Sequence, residues 1–328
     1  MRAVWYTQQG PANEVLRFGE RPTPAPAPGE VRVRLAASGV NPSDCNRRAG
    51  KGYAMESPLV IPNSDGAGTV DAVGAGIEAD WLGRRVWLHN GQRGRALGTA
   101  AEYIAIDSSL VALLPDNTAF EEGACLGIPC MTAYRCVFID GDVSGQWVLV
   151  TGGAGAVGHY AIQLAKWGGA NVIATVSSST KAAHAMAAGA DQVLNYRSED
   201  VATRVLEITG GRGADRIVDV DLGGNLEASL SCIALNGSIA AYASRGDAAP
   251  RIPFYRLMRK NVTLHAVLLY NTPAAFRQRA QREINRWLEA GRAKHKIAAV
   301  YSLGDTAAAH EAVESGAKVG TVVVRCDR

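Results

Sequence analysis

Residues 153–158 read Gly-Ala-Gly-Ala-Val-Gly, directly after an apolar run at 147–151 and at the head of a helix-periodic stretch at 156–167. A G-x-G-x-x-G between a strand and a helix has a definite physical use. Gly153, Ala154 and Gly155 form a turn tight enough for backbone N–H groups to approach a pyrophosphate. Ala156 and Val157 open a helix whose N-terminus carries partial positive charge, and Gly158 lets helix and strand pack closely. A purely structural glycine turn is the alternative. About twenty residues further on, an NAD site places an Asp or Glu on the ribose hydroxyls. This chain has Ser177-Ser178-Ser179-Thr180-Lys181 there. No carboxylate repels a 2′-phosphate, and Ser177 and Lys181 offer it a hydroxyl and an ammonium. A cation in the first turn of a helix also opposes the dipole unless an anion is near. NADP(H) is therefore expected over NAD(H), with Tyr196, beyond the next strand, covering the adenosine side. The bland reading is a surface lysine behind a serine cap.

The surrounding elements are those such a turn needs. After residue 115 strand and helix alternate: strands at 147–151, 171–176, 192–195, 216–220, 238–242 and 262–269, with helices between them. That alternation, with strands apolar throughout, implies a parallel sheet covered by helices on both faces. The first third differs. Its prolines at 22, 24, 26 and 28 form an extended connector. Val31, Val33 and Leu35 then alternate with Arg32 and Arg34, and further strand-like runs at 68–73, 85–89 and 102–106 are separated by glycine-rich turns. The tail carries a helix at 273–290 and strands at 298–302 and 321–325, which are free to rejoin the β-rich part. The expected α/β architecture is a doubly wound, Rossmann-type domain at 120–269 and a β-rich domain built from 1–119 and 270–328.

Composition sets the outer limits. The 328 residues are 47% hydrophobic and 20% charged, enough for two packed cores, and a net charge of +3 demands neither nucleic acid nor an anionic membrane. The uncharged stretch 143–165 is interrupted by five glycines and fits strand–turn–helix better than a membrane span. No basic-then-apolar leader is visible, so a soluble cytoplasmic protein is expected, its six cysteines reduced. None of these cysteines forms a CxxC pair, and the six histidines offer no ligand pair.

Further segments carry a family resemblance. They are Gly39-Val40-Asn41-Pro42-Ser43-Asp44 with Arg48 and Gly50, Ser64-Asp65-Gly66-Ala67-Gly68, Thr132-Ala133-Tyr134, Asn195-Tyr196, Ser244-Arg245-Gly246 and the late Gly320. With the glycine turn, they make the chain resemble, nearly end to end, the zinc-independent quinone oxidoreductase branch of the medium-chain dehydrogenase/reductase superfamily, which includes zeta-crystallin. The resemblance implies a GroES-like catalytic domain beside the Rossmann domain, an active site in the cleft, and a homodimer through the last Rossmann strand. It implies that Asn41, Asp44, Arg48 and Tyr53 line the pocket, with Arg48 or Tyr53 donating to the reduced oxygen. It adds Thr132, Ser244 and Leu268 to the cofactor's surroundings.

Zinc-dependent relatives carry a cysteine at the place of Asn41, Gly-His-Glu at Asn63-Ser64-Asp65, and a third ligand near Ile128, so no metal site is expected. Without a Lewis acid the fitting substrates are already electrophilic. The implied activity is NADPH-dependent reduction of a quinone or related activated carbonyl. Enone or enoyl-thioester reduction is the runner-up, and a non-catalytic NADPH- or RNA-binding role of zeta-crystallin type is the reading from another class. Two local alternatives stay open: Asn41 as a helix cap with Asp44 reaching back, and a structural Arg48–Asp44 ion pair. The chain departs from its relatives at Asn46, where many have tyrosine, at Pro62-Asn63 for Pro-Gly, at Gly320-Thr321 for Gly-Lys, and at Ala156 for glycine.

Overall fold

The computed structural model describes residues 1–52 and 54–327; Tyr53, one of the expected pocket residues, lies outside them. The chain divides into two compact units, Met1–Pro129 with Pro273–Arg328, and Cys130–Thr272. The first boundary falls at Pro129 rather than after residue 119, for a packing reason. The Phe120–Gly123 helix lies on the β-sheet of the first unit, where side chains at Gly39 and Gly123 would strike Ala124 O and Ala67 Cβ. The apolar stretch 120–138 follows a helical pattern in which Pro129 marks a break, and it is three pieces: that helix, a π-turn at Leu126–Cys130 containing Pro129, and the Met131–Phe138 helix. Proline removes one backbone donor, and the turn widens around it.

In the first unit seven strands form one sheet. Its path runs Ile297–Ser302, Thr321–Arg325, Glu30–Val40, Asp65–Val73, Arg85–Leu88 and Val111–Leu113, and Tyr103–Asp107 pairs with Glu30–Val40 off that path. Both tail strands thus rejoin the β-rich part. The 11-residue Glu30–Val40 strand is the spine: Val31, Val33 and Leu35 are buried, while Arg32 and Arg34 face outward. Its register brings Gly39 opposite Asp65 and Val40 opposite Val322.

The second unit is a six-stranded, wholly parallel sheet in the order Gln192–Asn195, Asn171–Val176, Trp147–Val150, Ala214–Asp219, Ile233–Ala241, Thr263–Ala266. Numbered from the first strand of the unit this is 3-2-1-4-5-6, the doubly wound order. Ligands in such sheets bind outside the carboxyl ends of the strands, where the order reverses. Leu149, Ile173, Ile217 and Ile239 fill its core. Among the described residues no helix is long and apolar enough to cross a membrane.

Candidate active site

The reversal point lies between Trp147–Val150 and Ala214–Asp219, and the glycine turn stands there. Gly152 adopts φ +66°, a left-handed value that suits glycine, and turns the chain out of the strand. Gly152 N–H and Gly153 N–H donate to Thr175 Oγ1 (3.2 Å) and Thr175 O (2.9 Å), which anchors the turn to the neighbouring strand. A side chain at Gly158 would overlap Gly152 O and lie 3.0 Å from Gly153 Cα; one at Gly155 would meet only Gly152 O, at 3.3 Å. Gly158 is thus required for packing, while Gly155 is exposed and leaves the helix end open. The Ala156–Trp167 helix has no side-chain cap, so its leading N–H groups remain for an anion. Ala154 is buried beneath the turn, and Ala156 and Val157 are partly exposed on it.

One strand over, Ser178 caps the Ser179–Ala187 helix by accepting from Lys181 N–H (3.4 Å), and Lys181 Nζ donates to Ser177 Oγ (3.2 Å). Tyr196 N–H donates to Val176 O (3.1 Å), and its ring is half exposed. Ser177, Lys181 and Tyr196 therefore gather at the ends of adjacent strands, beside the glycine turn. The donor set of ammonium, hydroxyl and phenol fits a phosphate-bearing nucleotide. On the far side of the reversal point Ser244 accepts from Gly223 N–H (2.9 Å), Leu268 is exposed after the last strand, and Thr132 is buried in the Met131–Phe138 helix.

Sequence reasoning missed the brace under this turn. Buried Asp219 Oδ1 accepts from Thr151 Oγ1 (2.9 Å), Asp221 N–H (2.9 Å) and Asn225 Nδ2 (2.7 Å), and Thr151 Oγ1 in turn accepts from Val220 N–H (2.9 Å). Val220 is thereby held against Gly152. An aspartate at a strand end followed by Asp221 and Asn225 was the available signal.

In the first unit Asn41 is the N-cap of the Pro42–Arg48 helix, and its N–H donates to Asp44 Oδ2 at 2.8 Å, so Asp44 does reach back as a cap. The Asn41 side chain is equally engaged: Nδ2 donates to Asp65 Oδ2 at 2.7 Å. The same oxygen accepts from Ile128 N–H at 2.8 Å, and Ser64 Oγ donates to Asp44 Oδ1 at 3.0 Å. Asn41, Asp44, Ser64 and Asp65 are all buried. Burial pushes the Asp44 carboxyl up to about 6 against the pull of its hydrogen bonds. It raises Asp65 well above the usual carboxylate range, aided by repulsion from Asp44.

Positions 41, 64 and 128, the ligand positions of zinc-dependent relatives, therefore do converge in space. The chemistry there is an amide, a hydroxyl and a backbone N–H around two carboxylates. Amide and backbone N–H donors point at Asp65, the reverse of what a cation requires, and these residues do not fit zinc. Among the described residues no group of three or more His, Cys, Asp or Glu side chains is arranged to hold a metal.

Arg48 requires a correction. Its ion-pair partner is Glu314, not Asp44, and its guanidinium also donates to Gly10 O. With a side chain only 1% exposed, it fastens the helix to its neighbours and is not presented to a substrate oxygen. The departure at Asn63 also has a physical reason. Its φ is +72°, which explains Pro-Gly in relatives, and asparagine is among the few other residues that tolerate this region. Its amide then bonds Ser38 Oγ (3.0 Å) and His310 Nε2 (2.9 Å).

Comparison with known proteins agrees with this fold. Residues 27–116 match the alcohol dehydrogenase GroES-like domain, and residues 156–286 match the zinc-binding dehydrogenase family. The human quinone oxidoreductase is 31% identical, over 96% of this chain and 94% of its own length. The chain belongs to the quinone oxidoreductase branch of the medium-chain dehydrogenase/reductase superfamily. It is an oxidoreductase. A 2-haloacrylate reductase from a Burkholderia species is 30% identical over 99% of this chain and 98% of its own. The crystal structure of the Escherichia coli quinone oxidoreductase, complexed with NADPH, superposes with a TM-score of 0.86 at 30% identity, covering 99% of this chain and all of that one.

Proposed function

We propose that this chain is an NADPH-dependent reductase of quinones or related activated carbonyl compounds that works without zinc. The observation that carries the reading is the joining of a phosphate-ready glycine turn to the Ser177–Lys181 pair, where an NAD enzyme would have a carboxylate. NADPH, when bound, supplies the hydride. The chain's own residues bind and orient: the open N-terminus at 155–157 takes the pyrophosphate, Lys181 and Ser177 take the 2′-phosphate, and Tyr196 covers the adenosine. Thr132, Ser244 and Leu268 flank the nicotinamide end. On the substrate side, Asn41 is held rigid by Asp44 and Asp65, and Tyr53 is the candidate donor to the developing oxyanion.

The absence of metal-binding side chains at 41, 64 and 128 favours acceptors that need no Lewis acid. Carbon–carbon double-bond reduction is the second reading, favoured by the resemblance to the 2-haloacrylate reductase. NADPH oxidation by chelator-treated protein across quinones, enones and enoyl thioesters tests both. Turnover of quinones first and enones weakly is the expected pattern, and one tightly bound zinc per chain whose removal abolishes turnover would overturn the metal-free reading.

The working form is proposed to be a homodimer. The Thr263–Ala266 strand is an open sheet edge, and Phe254, Tyr255 and Met258 on the preceding helix are more than half exposed, an uncommon grouping for a surface that meets only water. A cytoplasmic setting is proposed from the six cysteines, which are all buried and joined in no disulfide.

A further inference from the structure

We infer that Asp65 is a positioning residue for Asn41, holding the amide so that its carbonyl oxygen, not its NH2 group, is what Asn41 offers a bound molecule. The inference rests on the proposed role of Asn41 beside the reactants. It follows from donor and acceptor bookkeeping. Asp65 Oδ2 lies 2.8 Å from Ile128 N–H, a group that can only donate, so this oxygen serves as an acceptor. Its other close neighbour, 2.7 Å away, is Asn41 Nδ2, so the amide turns its NH2 toward this oxygen. The carboxylate cannot swing aside. A side chain at Gly127 would overlap Asp65 Oδ1, so this oxygen is packed against the Gly127 backbone, and Asp65 itself is 0% exposed. The Asn41 backbone is pinned as well, through its N–H to Asp44. The second N–H of the amide faces the Asp44 carboxylate, which it stabilises, so what remains to Asn41 is one fixed acceptor.

A fixed acceptor suits a donor on the reactants, either the carboxamide NH2 of a nicotinamide or the hydroxyl of a newly reduced product. It cannot stabilise an oxyanion, which needs a donor. Asn41 is thus separated from the oxyanion-binding role that the pocket also requires.

A double-mutant cycle tests this, with kcat and KM measured for wild type, Asn41→Ala, Asp65→Ala and the double variant. Each single variant should lose about 10- to 100-fold in kcat, the scale of a misplaced contact group. If Asp65 acts through Asn41, the double variant should be no worse than the poorer single one. Asp65→Asn should recover most activity, because one amide oxygen can still accept from both Asn41 and Ile128. Affinity for 2′,5′-ADP, which lacks the nicotinamide, should stay within twofold throughout. Should Asp65→Ala fail to fold, Asp65→Ser provides the same cycle. A reduced 3-acetylpyridine analogue of the cofactor, with no N–H donor, separates the two partners: wild type discriminates against it and Asn41→Ala does not if the carboxamide is the donor, and neither does if it is the product hydroxyl. Multiplying losses in the double variant, or wild-type kcat in either single variant, would overturn the inference.

Discussion

The guanidinium of Arg48, 1% exposed, is ion-paired with Glu314, which lies 266 positions later in the chain. The same group donates to Gly10 O, so one side chain ties the N-terminal loop, the Pro42–Arg48 helix and the Thr306–Glu314 helix together. Removing one partner of a buried pair typically costs about 3–5 kcal/mol. Glu314 is about a third exposed, and water can take over part of its charge. Arg48→Met is therefore expected to lower unfolding stability by less than that range, about 2 kcal/mol. Activity per folded molecule should stay within a few-fold of wild type. Denaturant unfolding alongside steady-state kinetics checks this; a hundredfold fall in kcat at unchanged stability would put Arg48 at the substrate.

Two glycines of the turn should separate fold from binding. Gly158→Ala forces a methyl onto the Gly152 backbone, and overpacking of this kind costs about 1–3 kcal/mol. It is expected to lower Tm and NADPH affinity together. Gly155 has φ −75° and little around its would-be Cβ, so Gly155→Ala should leave Tm of the cofactor-free protein unchanged. The added methyl still obstructs the open helix end, and NADPH should bind about tenfold more weakly, close to 1.4 kcal/mol. Thermal melts with and without NADPH read both effects.

These contrasts also mark what was legible in the sequence. The glycine turn, the strand before it and the helix at 156–167 could be read because each is local: apolar runs, glycine spacing and a 3.6-residue period. The Ser177–Lys181 pair was readable for the same reason, being four residues apart on one strand–helix junction. The Asp65 hub was not. It joins Asn41, Asp65 and Ile128 across three segments, and no local pattern says which carboxylate an amide will meet. Arg48 failed similarly: its nearest acidic residue in sequence is Asp44, but the fold brings Glu314. At Pro129 the proline signals a break in the helical pattern, but not its π form, because periodicity does not register one extra residue in a turn.

Acid sensitivity should follow from buried histidine. Burial pushes His310 down to about 3 and His89 to about 4, so the folded protein holds both neutral, and His310 Nε2 lies 2.9 Å from Asn63 Oδ1. Between those values and about 6.5 the unfolded chain binds more protons than the folded one, so their contribution is lost as pH falls through that window. Asp44, raised to about 6, acts in the opposite sense, favouring the folded state as pH falls toward 4. Comparing variant with wild type isolates one group. His310→Gln should flatten the fall in stability between pH 6.5 and 4.5 by up to about 1.4 kcal/mol per pH unit. Urea unfolding at three pH values measures the slope, and an unchanged slope would mean that His310 is charged in the folded protein.

The central claim is that the Ser177–Lys181 corner makes this an NADPH enzyme. Its most direct test is kcat/KM for NADPH and for NADH with one quinone acceptor, in wild type and in Lys181→Ala. A hydrogen bond to a charged group contributes about 1.5–3 kcal/mol, so the variant should lose about 10- to 100-fold with NADPH and almost nothing with NADH. Ser177→Asp should go further and invert the preference, repelling the 2′-phosphate while offering NADH a carboxylate. Equal wild-type values for the two cofactors, or a Lys181→Ala loss of the same size with NADH, would contradict the account.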